Sequence, residues 1–208
     1  MERFRWIRAA LPLLTMLGCS NFLNPEDYEQ LPSLEDLDFT SVEPSAPFLL
    51  WELREASAGG THRVLARVAS ASQNPVPADL MAAFNATTAP NGFDPTCLPG
   101  YCYKYFVSLE GTTIRVWNSI DEARAFIGGV NNRVEAALIA KSNGFYWVPP
   151  RETSAIREVA GGYELVVLEL VRTCDPIQYD RVVVYVSASG ALEVRKREVW
   201  ERHSRVCI

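Results

Sequence analysis

Thiols, imidazoles and carboxylates are the groups with which this chain could do chemistry, and their spacing decides what chemistry is open to each. Beyond Cys19 the cysteines are Cys97, Cys102, Cys174 and Cys207. A redox couple needs a thiol held acidic by a helix N-terminus or a cation. Cys97 and Cys102 have four residues between them, Leu98-Pro99-Gly100-Tyr101, and no basic neighbour on the Cys97 side of that turn. Pro99-Gly100 is a turn signal that lets the two sulfurs meet, so this pair is expected to be a structural clip. Cys174 and Cys207 would then pair across the C-terminal strands.

Acid–base or nucleophilic catalysis requires an imidazole or carboxylate aimed at a reacting group. The two histidines are His62, beside the Gly59-Gly60 turn, and His203, in a polar tail. Neither sits at zinc-ligand spacing from a cysteine pair, and no G-x-S-x-G, H-E-x-x-H or G-x-x-x-x-G-K motif occurs. No catalytic residue, metal or cofactor is therefore assigned. Among the carboxylates, Glu164 and Glu169 lie at odd separation on one apolar run and should face opposite sides of a sheet. Glu169 stands amid apolar residues and is expected to pair with an arginine of a neighbouring strand. The aromatics between residues 101 and 147 read mainly as core. Glu169 and Trp147 are the candidate ligand contacts.

The elements that position these groups follow from period and punctuation. Residues 48–56 and 61–71 read as a hairpin across Ser57-Ala58-Gly59-Gly60, and residues 103–109 and 112–117 as a second around Glu110-Gly111. Residues 78–84 are expected to make one or two helical turns. Ser119 with Glu122, and Asn132 with Glu135, are capping-box spacings that open two helices, closed by Gly128-Gly129 and Asn143-Gly144. Short strands are expected at 145–148 and 152–159. The segment Tyr163-Glu-Leu-Val-Val-Leu-Glu-Leu-Val-Arg172 is apolar on both faces, as a central strand is. Strands at 181–187 and 192–200 complete a meander, the last charged like an edge strand protected from aggregation. In such a meander the first and third strands end on the same side, which brings Cys174 to Cys207. The fold class is α+β, a mostly antiparallel sheet with two short helices packed on one face.

At the N-terminus, Arg3, Arg5 and Arg8 precede an apolar run at residues 9–17, interrupted by Pro12 and far too short to span a bilayer. That is the layout of a cleaved secretory signal peptide. Met16-Leu17-Gly18-Cys19 closes it and resembles the lipobox of bacterial lipoprotein precursors. The resemblance implies cleavage before Cys19, lipidation of its thiol, and a membrane partner engaged through that lipid. Ser20, where an aspartate would signal inner-membrane retention, implies the outer membrane of the cell envelope.

The net charge of −5 is uneven. Residues 20–47 hold Glu26, Asp27, Glu29, Glu35, Asp36, Asp38 and Glu43 with no lysine or arginine, and residues 48–208 hold 17 acidic and 17 basic side chains. The chain thus divides into a signal peptide (1–18), a solvated acidic tether (19–47) and one disulfide-stabilised domain (48–208). Nothing in it is basic enough for nucleic acid. The expectation is a lipid-anchored envelope protein that binds an envelope protein or glycan, or assembles with one. An envelope hydrolase is the alternative.

Overall fold

The computed structural model describes residues 25–56, 61–71, 75–94 and 102–207. Cys19, Cys97, Tyr101 and the segment expected to be a signal peptide lie outside them. Among the described residues nine strands form two antiparallel sheets. The smaller contains β2 (Leu50–Ala56), β3 (His62–Ala69), β4 (Tyr103–Glu110) and β5 (Thr113–Trp117), in the order β3-β2-β4-β5. The larger contains β1 (Glu29–Gln30), β6 (Ala155–Val159), β7 (Gly162–Arg172), β8 (Ile177–Ser187) and β9 (Leu192–His203), in chain order from one edge to the other. The α+β class and the antiparallel pairing are as expected. The expectation of one sheet is corrected to two, with the helices α2 (Ile120–Ile127) and α3 (Arg133–Ser142) between them.

Local chemistry builds both helices as the spacing predicts. The Ser119 side chain accepts from the Glu122 backbone while Glu122 reaches back, and Asn132 and Glu135 repeat the arrangement. Packing then decides their surroundings. Every residue from Val134 to Ser142 is buried, as befits a helix enclosed on all sides. Its alanines at 136, 137 and 140 keep it slim enough to lie on β7 and β8 while touching α2. α2 in turn packs on β4 and β5. Phe126 of α2 is the centre of the shared core, its ring 4.2 Å from that of Phe106 and 5.4 to 5.6 Å from those of Phe48, Trp51 and Trp117. A third helix, α1 (Ala78–Ala86), covers the outer face of the smaller sheet through Phe84.

The described part of the expected tether is folded, and this is the main correction. Tyr28, Leu31, Leu37, Phe39 and Val42 are buried, while Glu26, Asp27, Glu29, Glu35, Asp36, Asp38 and Glu43 are all exposed. The segment is a strap, apolar inward and acidic outward. It adds β1 to the edge of the larger sheet, makes 3-10 turns at Leu34–Asp36 and Phe39–Ser41, and crosses to the smaller sheet. At its far end Ser45 donates through its backbone N–H to the Phe126 carbonyl at 2.7 Å and through Oγ to that of Ala125. Gly128, at φ +77°, closes α2 there, and a Cβ on it would stand 2.5 Å from the Ser45 Cβ.

Smaller differences have local causes. Residues 145–148 contribute one bridge, Tyr146 with Leu168, and β6 begins only after a 3-10 turn at Arg151–Thr153. β8 and β9 outrun the expected limits, and β9 extends to His203. Just past them the Cys174–Cys207 disulfide joins the ends of β7 and β9, at the side of the sheet the meander implied. Cys102 is also disulfide-bonded; the assignment of Cys97 as its partner falls outside the described residues. Among the described residues no helix is long and apolar enough to cross a membrane.

Candidate functional site

One end of the smaller sheet holds a row of alternating charges that its pairing register creates. Glu55 of β2 is opposite Arg63 of β3 on one side and Lys104 of β4 on the other. Lys104 is in turn bridged to Asp94, on the chain leading to the clip. All four lie on one rung, so each carboxylate sits between cations. Arg63 Nε is 2.7 Å from Glu55, and Lys104 Nζ is 3.2 Å from Glu55 and 2.9 Å from Asp94. Beneath the rung, Lys141 of α3 brings its ammonium to 3.8 Å from the second Asp94 oxygen. That oxygen is buried and accepts no hydrogen bond among the described residues.

Burial makes the row an electrostatic unit rather than a solvated surface. Asp94 is fully buried, and Lys104 and Lys141 nearly so. Desolvation pulls the Lys141 ammonium below the usual lysine range, partly offset by Asp94. For Glu55, burial favours the neutral acid, but the charge and hydrogen bond of Lys104, with Arg63, outweigh it and hold the carboxyl below its ordinary value.

This row floors a cavity of about 330 Å³ between the strap and the sheet. Leu34, Leu37 and Phe39 of the strap and Leu65 of β3 supply apolar walls; Glu35 stands at the mouth; Glu55, Arg63 and Lys104 are the polar end. The size falls within the range of small-ligand sites, and an apolar lining with a few convergent polar groups is their usual chemistry.

Two other charged clusters act in the fold. On the opposite face of the smaller sheet, fully buried Arg54 donates to Glu52 at 2.6 Å and to the Thr87 and Phe84 carbonyls at 2.6 and 3.0 Å. It thereby places a cation at the C-terminal end of α1, where the helix dipole favours one. Arg67 completes that pair through the other Glu52 oxygen. On the outer face of the larger sheet, Glu164 accepts from Tyr28 at 3.0 Å, from Arg157 at 2.6 Å and from Arg195. Burial, then the hydrogen bond to Glu164, pushes the Tyr28 phenol up to about 12.

The structure sends the residues singled out from sequence to separate places. Glu169 faces the opposite side of β7 from Glu164, and its arginine is Arg197 of β9, 2.5 Å away and two strands over, shared with Asp180 of the intervening β8. Trp147 is buried and donates its indole N–H to the Pro32 carbonyl at 2.8 Å, so it clamps the strap. Neither lines the cavity. His203 is exposed, 3.0 Å from Glu201 on its own strand, and His62 lies on β3 with its imidazole pulled below the usual range by burial and by Arg54. Among the described residues no group of three or more histidine, cysteine, aspartate or glutamate side chains is placed to hold a metal ion.

Sequence reasoning missed every member of the row: Glu55, Arg63, Asp94, Lys104 and Lys141. The one available signal was their charge within or beside apolar runs, and only the strand register turns that into a site. Compared with protein-family models, with curated proteins and with solved structures, the chain shows no significant match to any of them.

Proposed function

We propose that this chain is an exported, lipid-anchored envelope protein that acts by binding rather than by catalysis, with Cys19 as the lipidated residue. The observation that carries the reading is the Cys174–Cys207 disulfide. A cross-link across the ends of a sheet suits an oxidising compartment, the one to which a cleaved, lipobox-ended leader would deliver the chain. The cavity supports the second half of the reading. Glu55, Arg63 and Lys104 at its polar end are held in ion pairs, which suits fixed recognition groups better than a poised acid and base. The strap adds a geometric consequence: eight residues, and so nine Cα-to-Cα steps, separate Cys19 from buried Tyr28. Fully extended they reach about 30 Å, so the domain would ride close to the membrane that holds the lipid.

Substituting Cys19→Ala should abolish incorporation of labelled palmitate and release the protein from membranes. Undiminished labelling would overturn the anchoring. Cross-linking in the native envelope, followed by identification of what is captured, reads the binding role separately.

A further inference from the structure

The row of charges under the strap begins and ends with a cation. From the cavity inward it runs Arg63, Glu55, Lys104, Asp94, Lys141. The four groups with little or no access to water, Glu55, Lys104, Asp94 and Lys141, balance one another, and Arg63, its side chain 65% exposed, is the third cation at the open end. Exposed Glu35 also lines the cavity and balances Arg63, so the lining is neutral overall and the placement of its donors decides what it takes.

Around Glu55 the hydrogen-bonding capacity left over is that of donors. Both Glu55 oxygens are engaged, one by Arg63 and one by Lys104. Lys104 donates a hydrogen bond to Asp94 and ion-pairs with Glu55. Arg63 donates through Nε alone, and its two terminal nitrogens make no hydrogen bond among the described residues. The unpartnered donors at the polar end of the cavity are therefore the terminal N–H groups of Arg63, while both Glu55 oxygens already face a cation. The cavity's other walls are the apolar side chains of Leu37, Phe39 and Leu65.

From that juxtaposition we propose that the cavity binds a small amphipathic monocarboxylate, its carboxylate on Arg63 and Lys104 and its apolar body against Leu37, Phe39 and Leu65. This deepens the binding role proposed above and names its ligand class. The acid's two oxygens take up the terminal N–H groups of Arg63 as charge-assisted hydrogen bonds. An alcohol of the same shape satisfies at most part of this. An amine of the same shape adds a fourth cation and brings no acceptor.

The test is a matched series, 4-phenylbutyrate, 4-phenylbutan-1-ol and 4-phenylbutylamine, titrated calorimetrically into the full chain in nanodiscs, with protein-free nanodiscs as the blank. The acid should bind at least tenfold tighter than the alcohol, and the amine should give no signal above the blank. Arg63, with its side chain 65% exposed, can be changed without opening the core. Arg63→Gln should bring the acid's affinity to within a few-fold of the alcohol's and leave the alcohol unchanged. Lys104→Met tests the inner contact; if it does not fold, Arg63→Gln still decides the matter. Equal affinity for acid and amine, acid binding indifferent to Arg63→Gln, or no binding of any of the three would overturn the proposal. Palmitate labelling at Cys19 is unaffected by any of these outcomes, so the two readings fail separately.

Discussion

Leu31→Ala distinguishes a folded strap from a solvated tether more sharply than any other single change. The Leu31 side chain is fully buried in the main core, while its backbone N–H donates to the Ser154 carbonyl at 3.0 Å and its carbonyl accepts from Ser154 Oγ at 2.8 Å. The substitution leaves those backbone bonds in place and removes only side-chain carbon. Three methyl or methylene groups at about 0.8 kcal/mol each give about 2.4 kcal/mol of transfer free energy. The space left behind adds a cavity cost, which brings the expected loss to about 3 kcal/mol. In urea denaturation with the disulfides intact, a slope of about 2 kcal/mol per molar converts that to a midpoint lowered by about 1.5 M. Glu35→Gln, on the exposed side of the same strap, serves as the control and should stay within about 0.5 kcal/mol of the parent. If Leu31→Ala also stayed within that limit, the strap would not be part of the core and the reasoning would fail.

Two further perturbations follow from the same contacts. Glu164→Gln should cost about 2 kcal/mol at neutral pH, since charge-assisted hydrogen bonds from Arg157, Arg195 and Tyr28 meet on one carboxylate. Burial alone would raise the Glu164 carboxyl, but those bonds outweigh it and hold the group below its ordinary value. Its contribution is therefore complete above the unfolded-state value near 4.5 and is lost as pH falls through the lower, folded one. The variant and parent should converge in stability over that acid range, and a gap constant from pH 7 to pH 2 would contradict the assignment. Replacing Cys174 and Cys207 together by serine opens a loop of 33 residues and should lower stability by about 3.7 kcal/mol in the chain-entropy model. Thermal unfolding of parent and variant under oxidising conditions measures it, and equal midpoints would show that the cross-link constrains nothing.

What could be read in the sequence was whatever local chemistry settles. Ser119 with Glu122 and Asn132 with Glu135 announced their helices because a cap needs only residues three apart. The two N-terminal hairpins and the C-terminal meander were equally legible, and with them the place of the Cys174–Cys207 bridge. The strap was not, because Tyr28, Leu31, Leu37, Phe39 and Val42 follow neither a two-residue nor a 3.6-residue period. Their burial is decided by partners such as Glu164, 136 residues away. The division into two sheets was hidden for a similar reason: alternation identifies a strand without saying which strand it joins. The charged rung was the least visible of all. Glu55, Arg63, Asp94 and Lys104 each pass for ordinary polar residues until register puts them in line.

The strap also fixes an order of events. It is among the first parts of the chain to be synthesised, yet it pairs with β6 and hydrogen-bonds to residues 123 and 136 positions further on. Tyr28 and Leu31 have nowhere to pack until the last sheet has been made, whereas the turn at Phe39–Ser41 lies against β3 of the earlier sheet. Contacts of such sequence separation are slow to form, and the apolar groups awaiting them are open to wrong partners meanwhile. A nascent copy therefore carries Tyr28 and Leu31 bare until β6 and β7 have been made. Completion of the C-terminal strands both finishes the larger sheet and closes the molecule at its beginning. A chain cut short before β6 would lose its strap as well as its missing strands, leaving a sticky N-terminus for chaperones and proteases to find.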